Sequence, residues 1–390
     1  MSVVLEQLNS QQEEETSQVI DFSVEQNSLS QAFQLCARVI PKNSHVPLLQ
    51  CIKLDIIQDK LFITAMDIEQ GVLQVLDIVN QGDNGSFLLP AKEGMELIRR
   101  LPSGTMKFTK DGMELEIHHS KKKSTAKLRV LAADEYPLLP DINTGITYKL
   151  SLKHLSQGAE AAEFAGTNAN VPVLTGIQLY NDEGRIAFLS TDRYRVYRYI
   201  TDVEWGSHEP KTYLVPALLF QRFVDVIPKS NDAIELVLTD RRMFLRAENL
   251  MYFVSLLDGT PPNVARAFTQ KKIGHQVTMS REELYQTLHL ALSMDCSDNR
   301  ITLQRNDMGL FSIFGKSDYV EINEVFEDVL LDDDFPEVIF NGLFTKKAIA
   351  VTESEQVTIT VKGPLDPAFV TFPEVPSIEL IILPIRPISL

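Results

Sequence analysis

Apolar residues along the chain fall into short alternating runs separated by longer, helically spaced segments, and the same order occurs three times. In the first stretch Ser28 opens a helical pattern through about Arg38, and Ile52 to Thr64 alternates with the period of two that half-buried strands require. Phe87-Leu88-Leu89-Pro90 then leads into a second helix over Ala91 to Leu101. The second stretch repeats this: Ser151 opens a helix to about Phe164, strands run from Gly176 to Leu189, and Tyr213-Leu214-Val215-Pro216 leads into a helix over Ala217 to Ile227. In the third, Ser280 and Glu283 form a capping box before a helix to about Met294, and strands follow from Ile301 to Val325. Val338-Ile339-Phe340-Asn341 precedes a helix over Leu343 to Val351, and strands at Val357 to Val361 and Glu379 to Leu383 close the stretch. Two helices against many strands, three times over, predict an α+β fold of three repeated modules, each with two helices packed on antiparallel sheets.

Short phrases carry the period. Val46-Pro47-Leu48-Leu49 returns 125 residues later as Val171-Pro172-Val173-Leu174, and Asp67 answers Asp192 at the same separation. The pairs Leu61/Ile63, Ile186/Phe188 and Phe311/Ile313 extend the register into the third copy. Asp134-Glu135-Tyr136-Pro137 and Asp258-Gly259-Thr260-Pro261 share an Asp-x-x-Pro frame 124 residues apart, where proline disfavours continuation of a central strand. The expected organisation is a flexible polar extension over 1–17, then modules over 18–143, 144–271 and 272–390. Three modules in a row predict a curved array whose two faces can have different tasks.

Composition narrows the class. The 390 residues suffice for three domains of ordinary size, and no apolar run reaches the roughly 18 residues of a membrane span. Glu13-Glu14-Glu15 stands where a signal peptide would be basic then apolar, and Cys36, Cys51 and Cys296 have no metal or redox spacing, so a reduced cytoplasmic setting is expected. A net charge of −16 argues against gripping nucleic acid over the whole surface. It leaves room for one cationic face.

Catalytic patterns are missing: there is no glycine-rich phosphate loop and no His-Glu-x-x-His or Gly-x-Ser-x-Gly. We therefore expect no enzyme, no metal and no cofactor. His118-His119 sits in an alternating run that sends the two rings to opposite faces, unsuited to sharing an ion. Asp67 and Asp192 read as turn residues because they repeat; a metal-dependent nuclease using them is the enzymatic alternative. Asp332-Asp333-Asp334 lacks the glycine and terminal glutamate of a calcium loop. Lys121-Lys122-Lys123 reads as a hairpin tip, with phosphate contact as the sharper alternative. Cations on or beside the helices, Arg38, Lys42, Lys92, Arg99, Arg100, Lys153, Arg222, Lys346 and Lys347, are candidates for DNA phosphate contact.

The stretches Leu-Arg-Val-Leu-Ala-Ala-Asp-Glu-Tyr-Pro (128–137), Val-Pro-Val-Leu-Thr-Gly-Ile (171–177), Ser-Thr-Asp-Arg-Tyr-Arg-Val (190–196) and Leu-Ile-Ile-Leu-Pro-Ile-Arg (380–386), within the three-copy plan, resemble the bacterial DNA polymerase III β subunit family, the sliding clamps. The likeness covers about residues 19 to 386 and leaves open a divergent phage- or plasmid-type member. It implies a head-to-tail homodimer closed into a ring of six modules around duplex DNA, held without sequence specificity. It also implies a groove for short peptides of the polymerase and clamp loader, here Leu174, Thr191, Arg195, Val196, Pro216, Phe220, Ile381, Leu383, Pro384, Ile385 and Arg386.

Several positions depart from the family pattern. Arg193-Tyr194 stands where a small residue usually precedes His or Tyr, and Val171 replaces a commonly basic residue in a loop left polar by Thr167, Asn168 and Asn170. Ala126 occupies a dimer-interface position often aromatic, opposite an apolar position kept as Leu292, which implies a weaker dimer. The tail Pro387-Ile388-Ser389-Leu390 extends past the usual end and is expected near the groove. A non-ring relative that competes for or adapts replication peptides is the alternative reading.

Overall fold

The computed structural model describes residues 19–121, 125–142, 145–206, 211–228, 233–270, 273–294 and 299–386. The N-terminal extension, Lys122, Lys123, Cys296, the tail 387–390 and the expected boundaries near 143 and 271 lie outside the described residues. The first repeat forms β1 (Ile20–Glu25), α1 (Gln26–Val39), β2 (Cys51–Ile57), β3 (Lys60–Met66), β4 (Gln70–Asp77), β5 (Val79–Asn80), β6 (Gly85–Pro90), α2 (Ala91–Arg100), β7 (Thr105–Asp111), β8 (Glu114–His119) and β9 (Thr125–Arg129). The second forms β10 (Ile146–Leu150), α3 (Leu152–Ala159), β11 (Gly176–Asp182), β12 (Arg185–Thr191), β13 (Arg195–Glu204), β14 (Tyr213–Pro216), α4 (Ala217–Val224), β15 (Ile234–Leu238), β16 (Arg242–Arg246) and β17 (Leu250–Ser255). The third forms β18 (His275–Ser280), α5 (Arg281–Ser293), β19 (Arg300–Arg305), β20 (Phe311–Lys316), β21 (Glu321–Phe326), β22 (Leu330–Leu331), β23 (Val338–Asn341), α6 (Gly342–Ile349), β24 (Gln356–Val361), β25 (Ala368–Thr371) and β26 (Ile378–Ile382). The sequence pattern did not reveal β25.

Helix starts follow the available caps. Ser280 accepts from the Glu283 amide at 3.3 Å, and Asn341 accepts from the Phe344 amide at 3.1 Å. Ser28 does not cap α1. That helix begins two residues earlier, because the Gln26 amide donates to Gly104 O at 2.9 Å and its side chain donates to Ile98 O at 2.7 Å. The helix expected through Phe164 instead ends at Ala159 and continues as a 3₁₀ turn over Glu160–Phe164. Side chains take the carbonyls there: Tyr197 Oη donates to Gln157 O at 2.8 Å, Arg195 Nη2 to Glu163 O at 3.0 Å, and Ser190 Oγ to Ala161 O.

The chain divides into two compact units, one from the described parts of 1–153 and 222–256, the other from 154–221 and 257–390. In the first, β5-β1-β7-β8-β9 form one sheet and β10-β15-β16-β17-β4-β3-β2-β6 another. The larger sheet joins the first repeat to the second where β4 pairs antiparallel with β17, Gln70 opposite Val254 and Gly71 opposite Phe253. Gly71 lies under the Phe253 ring, where a Cβ would come within 2.4 Å, so only glycine fits. Tyr252 Oη donates to Gln70 Oε1 across the same join at 2.9 Å. Tyr136, Leu139 and Ile142 from the segment after β9 bury themselves with Leu73, Met251 and Phe253 and cover it.

In the second unit the sheets run β14-β11-β12-β13-β26-β25-β24-β18-β22 and β21-β20-β19-β23. Here β13 of the second repeat pairs with β26 of the third, Arg195 opposite Ile382 and Val196 opposite Ile381. The same strand position in each repeat therefore makes each join, and the units follow shared sheets instead of single repeats.

The repeated aspartates are turn residues. Asp67 Oδ1 accepts from the Glu69 and Gln70 amides, both at 2.7 Å, and Asp192 Oδ1 accepts from Tyr194 and Arg195 amides at 2.9 and 2.8 Å. A third member, Ser317, stands 125 residues further on, its Oγ accepting from the Val320 amide at 3.0 Å.

Candidate functional site

The expected groove residues all fall within the second unit, several of them at the β13–β26 join. Val196 and Ile381, directly opposite each other, pack with Leu189, Phe268 and Phe369, and Val264, Ala265, Ala267 and Tyr180 lie against them. Thr191 Oγ1 donates to Arg195 O at 2.8 Å and accepts the Arg193 amide at 3.1 Å, which shapes the turn beside the join. Leu174 ends a short 3₁₀ turn, and its carbonyl accepts the Gly166 amide at 2.7 Å. The Leu383 amide donates to Tyr194 O at 2.9 Å, leaving the Leu383 side chain 38% exposed. Pro384 and Ile385 are half-buried, and the Ile385 amide donates to Ile339 O at 2.7 Å. Arg386 is exposed, while its carbonyl accepts from Arg300.

Arg195 is the most constrained of these side chains, only 6% exposed. Its Nε donates to Asp192 Oδ2 at 2.9 Å, and its guanidinium lies 4.9 Å from the Phe164 ring centroid and 4.3 Å from that of Phe344. Nη1 is buried without a hydrogen-bond partner among the described residues. Beside it Tyr194 is 61% exposed and 6.4 Å from the Phe344 ring. Arg193 holds a left-handed φ of 81°, a conformation that favours glycine.

Two expected wall residues are elsewhere. Phe220 is fully buried and stacks on Phe188 at 6.2 Å, so it belongs to the core. Pro216 ends β14 opposite Gly176, on an edge strand separated from β13 of the join by β11 and β12. Val264, Ala265, Ala267 and Phe268, which the sequence pattern does not single out, lie against Val196 and Ile381 instead. The apolar run after Pro261-Pro262 was the available signal.

The join is also held by a buried charge cluster. Arg198 Nε donates to Glu379 Oε2 at 3.0 Å, Nη1 meets Asp182 Oδ1 at 3.3 Å, and the Phe268 ring covers the guanidinium at 4.1 Å. Burial alone would lower the Arg198 pKa, but Glu379, Tyr180 and Asp182 together hold it above the ordinary value.

Of the candidate DNA-facing cations, Arg38, Lys42, Lys92, Lys153 and Arg222 are exposed. Their side chains make no hydrogen bond or ion pair among the described residues. Others have partners: Arg99 and Arg100 both bind Glu96, Lys347 pairs with Glu163, and Lys346 Nζ lies 2.8 Å from His289 Nδ1. His118 is exposed and His119 buried on opposite faces of β8, and among the described residues no three His, Cys, Asp or Glu side chains group as metal ligands. Among the described residues no helix is long and apolar enough to cross a membrane.

Each unit also has one sheet edge that bears on assembly. Strand β9 closes the five-stranded sheet with Ala126 and Leu128 half-buried and Lys127 and Arg129 exposed; β21 closes the four-stranded sheet with Glu321 and Glu324 exposed and Ile322 and Val325 half-buried. These strands occupy the places of β17 and β4 in the repeat, but neither has a strand on its outer side among the described residues. Leu292 is half-buried near the end of α5, beside Gly342 at the start of α6.

Comparison with known proteins gives one consistent answer. The family model for the DNA polymerase III beta subunit, N-terminal domain, matches residues 20–140, and that for its central domain matches 149–263. The beta sliding clamp of Bacillus subtilis is 22% identical over 378 residues, covering 94% of this chain and 99% of that protein. A Staphylococcus aureus beta sliding clamp is 23% identical over 383 residues, covering 94% and 100%. Among solved structures, a sliding clamp from Pseudomonas aeruginosa bound to griselimycin superposes with a TM-score of 0.87 at 18% identity, and the beta subunit from Streptococcus pyogenes with 0.86 at 20%. Both superpositions cover 94% of this chain and 100% of the other, and they establish the clamp fold. The chain belongs to the DNA polymerase III beta subunit family.

Proposed function

We propose that this chain is a sliding clamp: two copies close head to tail into a ring of six modules around duplex DNA and tether a polymerase through the groove at the β13–β26 join. The observation that carries this reading is the repetition of one join. Strand β4 meets β17 and β13 meets β26, while the equivalent strands β21 and β9 are left as edges of opposite charge. An edge of that kind templates pairing with another chain, and a heterologous pairing that closes gives a ring. If the second copy pairs as β4 pairs with β17, then advancing Gly71 and Val72 by two 125-residue periods to Glu321 and Ile322, and setting Phe253 and Tyr252 back by the 124 residues of the Asp-x-x-Pro frame to Arg129 and Leu128, would set Glu321 opposite Arg129 of the second copy and Ile322 opposite Leu128. Charge and apolar character both match.

Tethering by a closed ring is topological, so the protein needs no tight grip. Exposed cations such as Arg38, Lys92, Lys153 and Arg222 supply weak, sequence-independent phosphate contact, and the overall charge of −16 keeps the rest of the surface from adhering. The groove suits a short peptide: Leu383, Pro384 and Ile385 offer accessible apolar surface beside the buried Val196–Ile381 pair, and Thr191 and Arg195 fix the turn next to them. No residue set here is assigned a catalytic task. The clamp loader is expected to use the same groove. Primer extension on a circular template with a candidate polymerase tests the reading: longer products only when the chain is present support it, and unchanged product length refutes it.

A further inference from the structure

We propose that residues 2–16 of this same chain dock in the groove between α1 and α2 and cover its cationic rim. The groove has a volume of about 620 Å³; Ala37, Ile40 and Met95 line it, with Lys42, Lys92 and Arg99 among its charged residues. Glu96 also lines it but is engaged by Arg99 and Arg100, so the two lysines carry the unbalanced charge. This cationic spot sits on a chain of net charge −16.

Residues 1–18 are complementary in both respects. They contain Glu6, Glu13, Glu14 and Glu15 and no Lys or Arg, and they place Val4, Leu5 and Leu8 at the i, i+1, i+4 spacing that puts three side chains on one helical face. The apolar trio fits the floor, and the glutamates fit the rim.

Reach is sufficient. From Val19 to Ser30 at the groove the chain runs along β1, about 20 Å, and little more than one turn of α1. Residues 9–18 alone span up to about 35 Å when extended. If the helices face DNA, as the clamp reading requires, the docked segment occupies cations that phosphate would use, and duplex DNA displaces it.

The test uses a fluorescent peptide of residues 2–16 and two full-length chains: the natural sequence, and a variant with Val4→Asp, Leu5→Asp and Leu8→Asp that vacates the groove. Saturable binding to the variant is expected. Binding to the natural chain should be at least about tenfold weaker, because its own tethered segment competes at high effective concentration. Lys42→Glu with Lys92→Glu in the variant should remove binding while leaving its melting temperature unchanged. A peptide carrying the three Asp substitutions, which leaves the folded chain untouched, should not bind. Equal binding to both chains, no saturable binding to the variant, or indifference to the lysines would each overturn the proposal. Duplex DNA at low salt is expected to displace the peptide; docking that DNA fails to displace would sustain the segment's site and count against the helices facing DNA.

Discussion

Arg198 and Glu379 sit directly opposite each other on β13 and β26, and the guanidinium donates to the carboxylate across the join, with Phe268 covering the pair. Both side chains are buried, so removing Glu379 leaves the guanidinium with Asp182 Oδ1, 3.3 Å away, as its remaining carboxylate partner. Glu379→Gln should lower unfolding stability by about 3 kcal/mol in urea melts, and Arg198→Met with Glu379→Leu should cost less than that single change. A single change that is neutral would show the pair to be hydrated.

The turn formed by Asp67, Asp192 and Ser317 makes a graded prediction. Asp192 receives two amides and the Arg195 side chain, so Asp192→Ala should cost about 2 kcal/mol, whereas Ser317→Ala, with weaker bonds, should cost about 1 kcal/mol. Neither the natural chain nor Asp192→Ala should cut DNA in magnesium or manganese. Cleavage lost on that substitution would revive the nuclease reading.

Cysteine chemistry follows from burial. Desolvation pushes the Cys36 thiol up to about 12 and also raises that of Cys51. Because the raised pKa keeps both protonated at pH 8, iodoacetamide should label at most one of the three cysteines in the native chain. Labelling of all three without denaturant would contradict the packing.

Peptide capture should depend on the β13–β26 join alone. Leu383→Asp, at a 38% exposed position, should weaken binding of a polymerase-derived peptide at least about tenfold while leaving the melting temperature nearly unchanged. Phe220→Leu, in the core behind it, should lower stability and spare peptide affinity.

Much of this fold is legible in the sequence, because each repeat declares its strands by alternation and its helices by caps such as Ser280 and Asn341. What local pattern hides is set by distant partners. The end of α3 at Ala159 depends on Tyr197, Ser190 and Arg195 capturing carbonyls from other strands. Phe220 shares its apolar spacing with any groove wall, and its core position shows only in the fold, where it is fully buried and stacks on Phe188. Val264 to Phe268 carries no periodic signal of its own, and its role shows only once the sheet join that it covers exists. Arg195 and Val196 enter the candidate groove through the resemblance carried by Ser-Thr-Asp-Arg-Tyr-Arg-Val (190–196), and the Asp192 turn fixes the Arg195 backbone.

Interface charge gives a reciprocal test. Arg129→Glu or Glu321→Arg should each raise the dimer dissociation constant about tenfold or more at low salt, and the double exchange should recover much of the loss. Independent effects would mean that these residues do not meet.

Ring closure around DNA is tested most directly by joining Ile322→Cys to Leu128→Cys of the second copy in the presence of nicked circular plasmid. The crosslinked protein should stay on the circle in high salt and be released when a restriction enzyme linearises the DNA. Loss from the intact circle, or retention after linearisation, would contradict the clamp.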